Sequence, residues 1–190
     1  MPVDRKNIFK IFPFGFFIVL SLAVSIFLGS CSASASKDKE AIQTLFQEAR
    51  KAADIRDYNR AKNIYSRILK KDPQNAYAYF SLGYIAEISG ELINARKFYE
   101  QAASFSFEDP ELYYNLGNVY VKLQDGEKAQ KAYLKAVELN PQHLNAYINL
   151  SIVSFQLGDY QSAVKYCDEA VVLGYDAPLE YLNTLQQFRR

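Results

Sequence analysis

The chain contains few side chains of the kinds that catalyse reactions or bind metal ions. Its 190 residues include one histidine, His143, and two cysteines, Cys31 and Cys167. A structural zinc site usually takes four Cys or His ligands, so these residues are too few to form one. Nucleophilic catalysis requires a serine or cysteine activated by a general base, and the sequence shows no recognisable pair of this kind. We therefore predict no enzyme activity, no metal site and no cofactor.

The carboxylates follow a structural pattern. Four of them recur at one kind of turn, each just before a helical segment: Asp57, Glu91, Asp125 and Asp159. Carboxylates there can accept hydrogen bonds from the first free N–H groups of a helix, so capping is favoured over acid–base chemistry. His143 precedes another helical segment and is predicted to be a solvated surface residue. Cys167 replaces an aromatic residue in a packing position, which predicts a buried, unreactive thiol.

Composition excludes other classes of protein. The chain has 22 basic and 21 acidic residues, a net charge of +1, whereas nucleic-acid-binding proteins usually show a basic excess. Its hydrophobic fraction of 49% argues against long disordered segments. Aromatic residues are numerous, with 15 Tyr and 13 Phe but no Trp.

The N-terminal residues differ in composition from the rest. Arg5, Lys6 and Lys10 precede an uncharged stretch over 11–28, which is followed by Gly29-Ser30-Cys31 and a run of Ser and Ala. A basic start before an apolar stretch is typical of an export signal or a membrane anchor. Without residues 1–30 the net charge changes from +1 to −1, since three basic residues and one acid are lost.

The sequence Leu28-Gly29-Ser30-Cys31 resembles the lipobox of bacterial lipoproteins. The resemblance implies a signal peptide over 1–30, cleavage after Ser30 and acyl chains, including palmitate, on Cys31; residues 31–38 would then be a lipidated cysteine and a flexible tether. An uncleaved membrane span is the alternative. Either places the remaining chain outside the cytoplasm, since the basic flank stays inside. Ser32 rather than Asp after the cysteine favours the outer membrane, facing the periplasm, in a cell with two membranes.

The remaining chain repeats with a period of 34 residues. Small residues recur at Ala61, Ala95, Ala129 and Ala163, and four residues later stand Tyr65, Tyr99, Tyr133 and Cys167. Twelve residues before each alanine stand Ala49, Gly83, Gly117 and Ser151. This pattern resembles the tetratricopeptide repeat, a helix–turn–helix unit.

The resemblance implies an all-α, right-handed solenoid over 39–177, with four units and a final capping helix at 178–190. The units are expected at 42–75, 76–109, 110–143 and 144–177. Within each, the small residues let two helices approach closely while the tyrosines fill the adjacent space. Most aromatic residues are therefore predicted to be packing residues.

In such arrays the first helices of successive units line a concave groove that binds protein or peptide partners. The face of these helices not used for pair packing carries the predicted groove residues: Tyr77, Phe80, Tyr84, Ile88, Tyr114, Asn118, Val121, Lys122, Ile148, Ile152 and Phe155. Burial between units is an equal alternative for Phe80, Tyr114 and Ile148. An exposed apolar stripe of this kind usually marks a partner site.

Some proteins with this repeat hold the C-terminal carboxylate of a peptide with Lys, Arg and Asn. Here those positions offer few polar groups, namely Arg50, Asn115, Asn118 and Lys122, so that activity is not predicted. We predict instead a lipid-anchored interaction scaffold of the bacterial envelope that binds a protein segment. By analogy with small lipoproteins that pilot secretin or pilus components, assembly of an envelope complex is a candidate role. A self-associating or cell-wall-attached structural lipoprotein is the alternative, and no nucleic acid is expected as a partner.

Replacing Cys31 by Ala should leave an uncleaved precursor without lipid, because the acylated thiol would be missing. Labelled palmitate and gel mobility measure both effects, and Cys167→Ala is the matched control that should be lipidated normally. Mature-sized, membrane-bound protein from the Cys31→Ala variant would contradict the lipoprotein hypothesis.

Overall fold

The computed structural model describes residues 37–189, and all the regular structure in this part of the chain is helical. The helices are α1 (37–54), α2 (Tyr58–Lys71), α3 (Ala76–Ile88), α4 (Leu92–Ser104), α5 (Pro110–Lys122), α6 (Gly126–Leu139), α7 (Leu144–Gln156), α8 (Tyr160–Val172) and α9 (Leu179–Gln186). The prediction of an all-α solenoid is confirmed.

The chain divides at Leu45. Residues from Leu45 onward form one compact unit, and residues 37–44 belong to a separate unit in which they are helical. The predicted signal peptide over 1–30 and Cys31 lie outside the described residues. Residues 37 and 38, which we assigned to a flexible tether, are helical, because the charged segment 37–40 contains no residue that breaks a helix. Among the described helices, none has both the length and the apolar character that crossing a bilayer requires.

Consecutive helices pack as pairs, α3 with α4, α5 with α6 and α7 with α8, and each pair packs on the next. The repeated alanines lie at the centre of these contacts. Ala61, Ala95, Ala129 and Ala163 are all fully buried. Because the core extends from one pair to the next, the array has no single central core.

Within two pairs, a tyrosine ring lies directly on a glycine. A Cβ atom added to Gly83 would lie 2.5 Å from Cδ1 of Tyr99, and one added to Gly117 would lie 2.5 Å from Cε1 of Tyr133. Both rings are almost fully buried and cannot move aside. The predicted close approach of the helices is therefore present, and it depends on the missing side chain at each glycine.

Each first helix ends in the same turn. The residues at these turns have positive φ: Arg56 (59°), Gly90 (75°), Gln124 (62°) and Gly158 (79°). The following N–H group donates to a carbonyl five residues before it, as in Asp125 N to Tyr120 O at 2.9 Å. This is the Schellman arrangement, in which a left-handed residue satisfies the last carbonyls of a helix.

Three of the four predicted acidic caps are present. The side chains of Asp57, Asp125 and Asp159 accept hydrogen bonds from N–H groups in the first turns of α2, α6 and α8. The prediction is wrong for Glu91, whose side chain makes no cap hydrogen bond. Its longer side chain instead accepts from Asn94 Nδ2 at 2.8 Å and Lys62 Nζ at 3.5 Å.

The last pair is completed by helix α9. Leu185 of α9 is fully buried in a cluster with Ala163, Cys167 and Ala177. The first residue of this helix does not pack in the same way, since Leu179 is 73% exposed. Cys167 is buried as predicted, and burial raises the pKa of its thiol, so it stays protonated at neutral pH.

Position 151 interrupts the glycine column of the earlier pairs. Ser151 Oγ donates to Ala163 O at 2.7 Å and lies 2.8 Å from the hydroxyl of Tyr181, a residue of α9. Cys167 stands where the earlier pairs have tyrosine. The tyrosine that reaches this small residue therefore comes from the capping helix rather than from α8, and it does so through its hydroxyl.

Replacing Gly117 by Ala should lower the free energy of unfolding by about 1–3 kcal/mol, because the buried Tyr133 ring leaves no room for a methyl group. Urea unfolding of the full chain, followed by circular dichroism, measures this loss. Gly126→Ala is the control: its new Cβ would lie 3.1 Å from the exposed, movable Leu157. Equal losses in both variants would contradict the packing argument.

Candidate functional site

The predicted groove residues lie on α3, α5 and α7. Five of them are between 40% and 50% exposed: Tyr77, Tyr84, Ile88, Val121 and Ile152. Exposure alone does not identify a site, because other large apolar side chains are also exposed: Ile55, Ile93, Leu157, Tyr160, Val171, Val172 and Leu179. Two concavities lie along the predicted groove.

The first concavity lies between α5 and α7 and has a volume of about 260 Å³. We call it the amide pocket, and its lining residues are Asn118, Val121, Lys122, Tyr133, Asn149, Ile152, Val153 and Gln156. Four of these were predicted from the sequence: Asn118, Val121, Lys122 and Ile152. The pocket is apolar on the sides formed by the aliphatic residues, and polar groups lie at its floor.

Two asparagines and a tyrosine form that floor. Asn118 Oδ1 accepts a hydrogen bond from Tyr133 Oη at 2.8 Å and another from Asn149 Nδ2 at 3.0 Å. Burial raises the pKa of the Tyr133 hydroxyl, so it remains a protonated donor at neutral pH. The side chain of Asn118 is therefore held in one orientation by α6 and α7.

Lys122, one of the predicted groove residues, forms an ion pair within the chain. Its Nζ lies 2.7 Å from Oε1 of Glu87 on α3. Glu87 Oε2 accepts a second hydrogen bond, from the hydroxyl of Tyr99 at 3.0 Å. The side chain of Glu87 is only 12% exposed, so this carboxylate is fixed beneath the groove and neutralises Lys122.

The second concavity, of about 440 Å³, lies over α3. We call it the aromatic pocket, and its lining residues are Arg50, Ala53, Tyr65, Tyr77, Phe80, Ser81, Tyr84, Ile85, Glu111 and Asn115. Three of the predicted groove residues, Tyr77, Phe80 and Tyr84, meet here. Tyr77 is held by edge contacts with Phe46 and Phe107, at ring distances of 5.4 and 6.3 Å.

Other predicted groove residues lie partly or wholly in packing contacts. Phe80 and Tyr114 are half-buried against the core, and Ile148 is also half-buried. Phe155 packs against Tyr160, Tyr181 and Phe188, with ring distances of 5.2, 6.1 and 6.3 Å. Ile88 is exposed but lines neither pocket.

The prediction of a solvated His143 is wrong. His143 is 8% exposed, and its Nδ1 accepts from Ala146 N at 3.3 Å, which caps α7. Its ring lies 4.8 Å from that of Tyr114, and its Nε2 lies 3.3 Å from Glu111 Oε1. The imidazole is buried because α5 of the preceding pair covers the start of α7, a contact that local sequence does not reveal.

Asn149 is a lining residue that the sequence analysis missed, although the repeat contains a signal for it. It stands 34 residues after Asn115, which lines the aromatic pocket, and 68 after Ser81, so one column supplies polar groups along the groove. Glu87 had no such signal, because the same column holds Val121 and Phe155.

The arrangement of the two pockets is suited to binding. Within residues 37–189, no three His, Cys, Asp or Glu side chains are placed to hold a metal ion. The two pockets combine aliphatic and aromatic surface with a few fixed polar groups, which is the usual composition of a recognition site.

Comparisons with known proteins agree on one family. A family model described as tetratricopeptide repeat matches residues 46–110 and 114–178. No curated protein matches the chain significantly.

Many solved structures share the fold. A crystal structure of MamA is 26% identical, with a TM-score of 0.65, and the match covers 70% of this chain and 77% of that one. Pseudomonas aeruginosa pilF is 22% identical, with a TM-score of 0.63 and coverage of 74% and 64%. An O-GlcNAc transferase from Thermobaculum terrenum is 26% identical, with a TM-score of 0.57, but the match covers 62% of this chain and 22% of the enzyme.

Replacing Asn118 by Ala should destabilise the fold by about 1–3 kcal/mol, because the Tyr133 hydroxyl would lose its acceptor. Adding Tyr133→Phe should recover part of this loss, since the hydroxyl then no longer needs a partner. Urea unfolding of the single and double variants measures both effects. Strictly additive losses would show that the hydrogen bond does not couple these side chains.

Proposed function

Because the chain belongs to the tetratricopeptide repeat family, whose members serve as protein–protein interaction scaffolds, we propose that it is a lipid-anchored scaffold of the bacterial envelope. In this proposal, acyl chains on Cys31 hold it at a membrane and the groove binds a segment of another envelope protein. The repeat fold is typically non-catalytic, and we propose no enzyme activity.

The observation that supports the binding proposal is that both pockets are lined mainly by first helices, the amide pocket by α5 and α7 and the aromatic pocket by α1, α3 and α5. Together they present half-exposed Tyr77, Tyr84 and Ile152 around fixed polar groups. Truncating such anchors usually has a large effect, because a few buried aromatic and aliphatic contacts supply most of the energy of an interface.

Localisation is proposed from the N-terminal sequence. The lipobox-like Leu28-Gly29-Ser30-Cys31 and the basic residues before it support a position outside the cytoplasm, and Ser32 supports the outer membrane facing the periplasm in a cell with two membranes. Several acyl chains on one cysteine would hold the protein durably, whereas one chain binds only marginally.

The binding proposal is tested by replacing Tyr84 and Ile152 with Ala in the full chain and quantifying partners crosslinked to it in envelopes of the cell that makes it. Capture of the partner should fall at least about tenfold, since each truncation removes an anchor of the interface.

The matched control is the pair Ile93→Ala and Val172→Ala, which truncates exposed aliphatic residues at positions that line neither pocket. Circular dichroism checks that both double variants keep their helices. The proposal is wrong if the groove variant captures the same partners as the control. If the chain crosslinks only to other copies of itself, and the groove variant loses this crosslink, self-association is favoured instead.

A further inference from the structure

Resting on the proposed function, we propose that Glu87, by neutralising Lys122, makes the amide pocket reject a chain-terminal carboxylate and select an internal peptide group of the partner. The occupant is thus an uncharged stretch of main chain with an aliphatic side chain. Glu87 is, in this proposal, the residue that determines this specificity.

The amide groups at the floor are oriented but not saturated. Asn118 Oδ1 already accepts two hydrogen bonds, one from the Tyr133 hydroxyl and one from Asn149 Nδ2. Within the described residues, Asn118 Nδ2 and Asn149 Oδ1 have no hydrogen-bond partner. Asn118 Nδ2 can donate to the C=O of a peptide group, and Asn149 Oδ1 can accept from its N–H.

The sides of the pocket are suited to an aliphatic side chain. Val121 and Ile152 line it from α5 and α7 and are each about 40% exposed, at 41% and 40%. Val153 adds a third aliphatic contact from below. A side chain beside the bound peptide group would cover this surface and remove apolar area from water.

The charge of the pocket is already balanced. Lys122 is the one charged residue among its described lining residues, and Glu87 holds it at 2.7 Å. Glu87 itself cannot easily turn away, because it is largely buried and also accepts from Tyr99. A second carboxylate entering the pocket would lose hydration without finding a free cation, which is unfavourable. A neutral peptide group carries no such cost.

Two small probes that differ only in their C-terminal group test the proposal. N-acetyl-leucine N′-methylamide ends in a neutral amide, and N-acetyl-leucine ends in a carboxylate. Each is titrated into the ¹⁵N-labelled full chain in detergent, and the side-chain amide signals of Asn118 and Asn149 are followed. The methylamide should move both signals in a saturable way, with a Kd at least about tenfold lower than that of the carboxylate.

Glu87→Gln should reverse this preference. Glutamine can still accept from Tyr99, but it leaves Lys122 without a counter-charge, so N-acetyl-leucine should gain at least about tenfold relative to the methylamide. Glu100→Gln is the control, since Glu100 also accepts from a tyrosine, Tyr120 at 2.7 Å, but does not line the pocket. It should leave the ratio of the two Kd values unchanged.

Three results overturn the proposal: equal or tighter binding of the carboxylate to the wild type, an unchanged ratio in Glu87→Gln, or no effect of the methylamide on the two asparagine signals. The wild-type comparison stands even if the variant is unstable. The probes involve no envelope partner, so the two proposals can fail separately. If the probes bind as expected but the groove variant still captures the same envelope partners, only the proposed function is rejected. If the groove variant loses its partners but the probes do not bind as expected, only this inference is rejected.

Discussion

The contact between a tyrosine ring and a glycine within a helix pair determines most of what surrounds it. Because the rings of Tyr99 and Tyr133 rest on Gly83 and Gly117, the paired helices lie close together. The same contact sets where each hydroxyl emerges. Tyr99 reaches Glu87 and Tyr133 reaches Asn118, so the residues that pack the pairs also hold the polar groups of the groove. Packing and recognition are therefore not independent here.

Those features of the fold that repeat could be predicted from the sequence. The alanine column, the small residues twelve positions before it and the turn acids recur every 34 residues, and a repeated position reports its environment four times. The environment of a residue is harder to predict where one unit departs from the others. The prediction for His143 is wrong because Tyr114 and Glu111, which lie against its ring, come from the preceding pair. The prediction for Glu91 is wrong because its side chain is longer than that of aspartate and accepts hydrogen bonds from Asn94 and Lys62 instead.

The groove shows the same division between what repeats and what does not. Half-exposed Tyr84, Val121 and Ile152 follow from helical spacing, which predicts the outward face of each first helix. The partnership of Lys122 with Glu87 does not, because it joins residues 35 positions apart on different helices. A lysine in a groove suggests an anion site when read from sequence, whereas the structure shows a cation already neutralised. The charge of such a surface therefore depends on ion pairs between distant residues, and it cannot be read from the residue types alone.

The last helix pair differs from the two before it in how its small residue is contacted. In those two pairs Gly83 and Gly117 each meet a tyrosine from their own second helix, whereas Ser151 meets the hydroxyl of Tyr181 from α9. The hydroxyl of Ser151 and the short side chain of Cys167 leave the space that Tyr181 occupies. Helix α9 is therefore joined to α7 through a hydroxyl that the glycines at 83 and 117 lack, so exchanging one small residue for another changes which helix supplies the tyrosine.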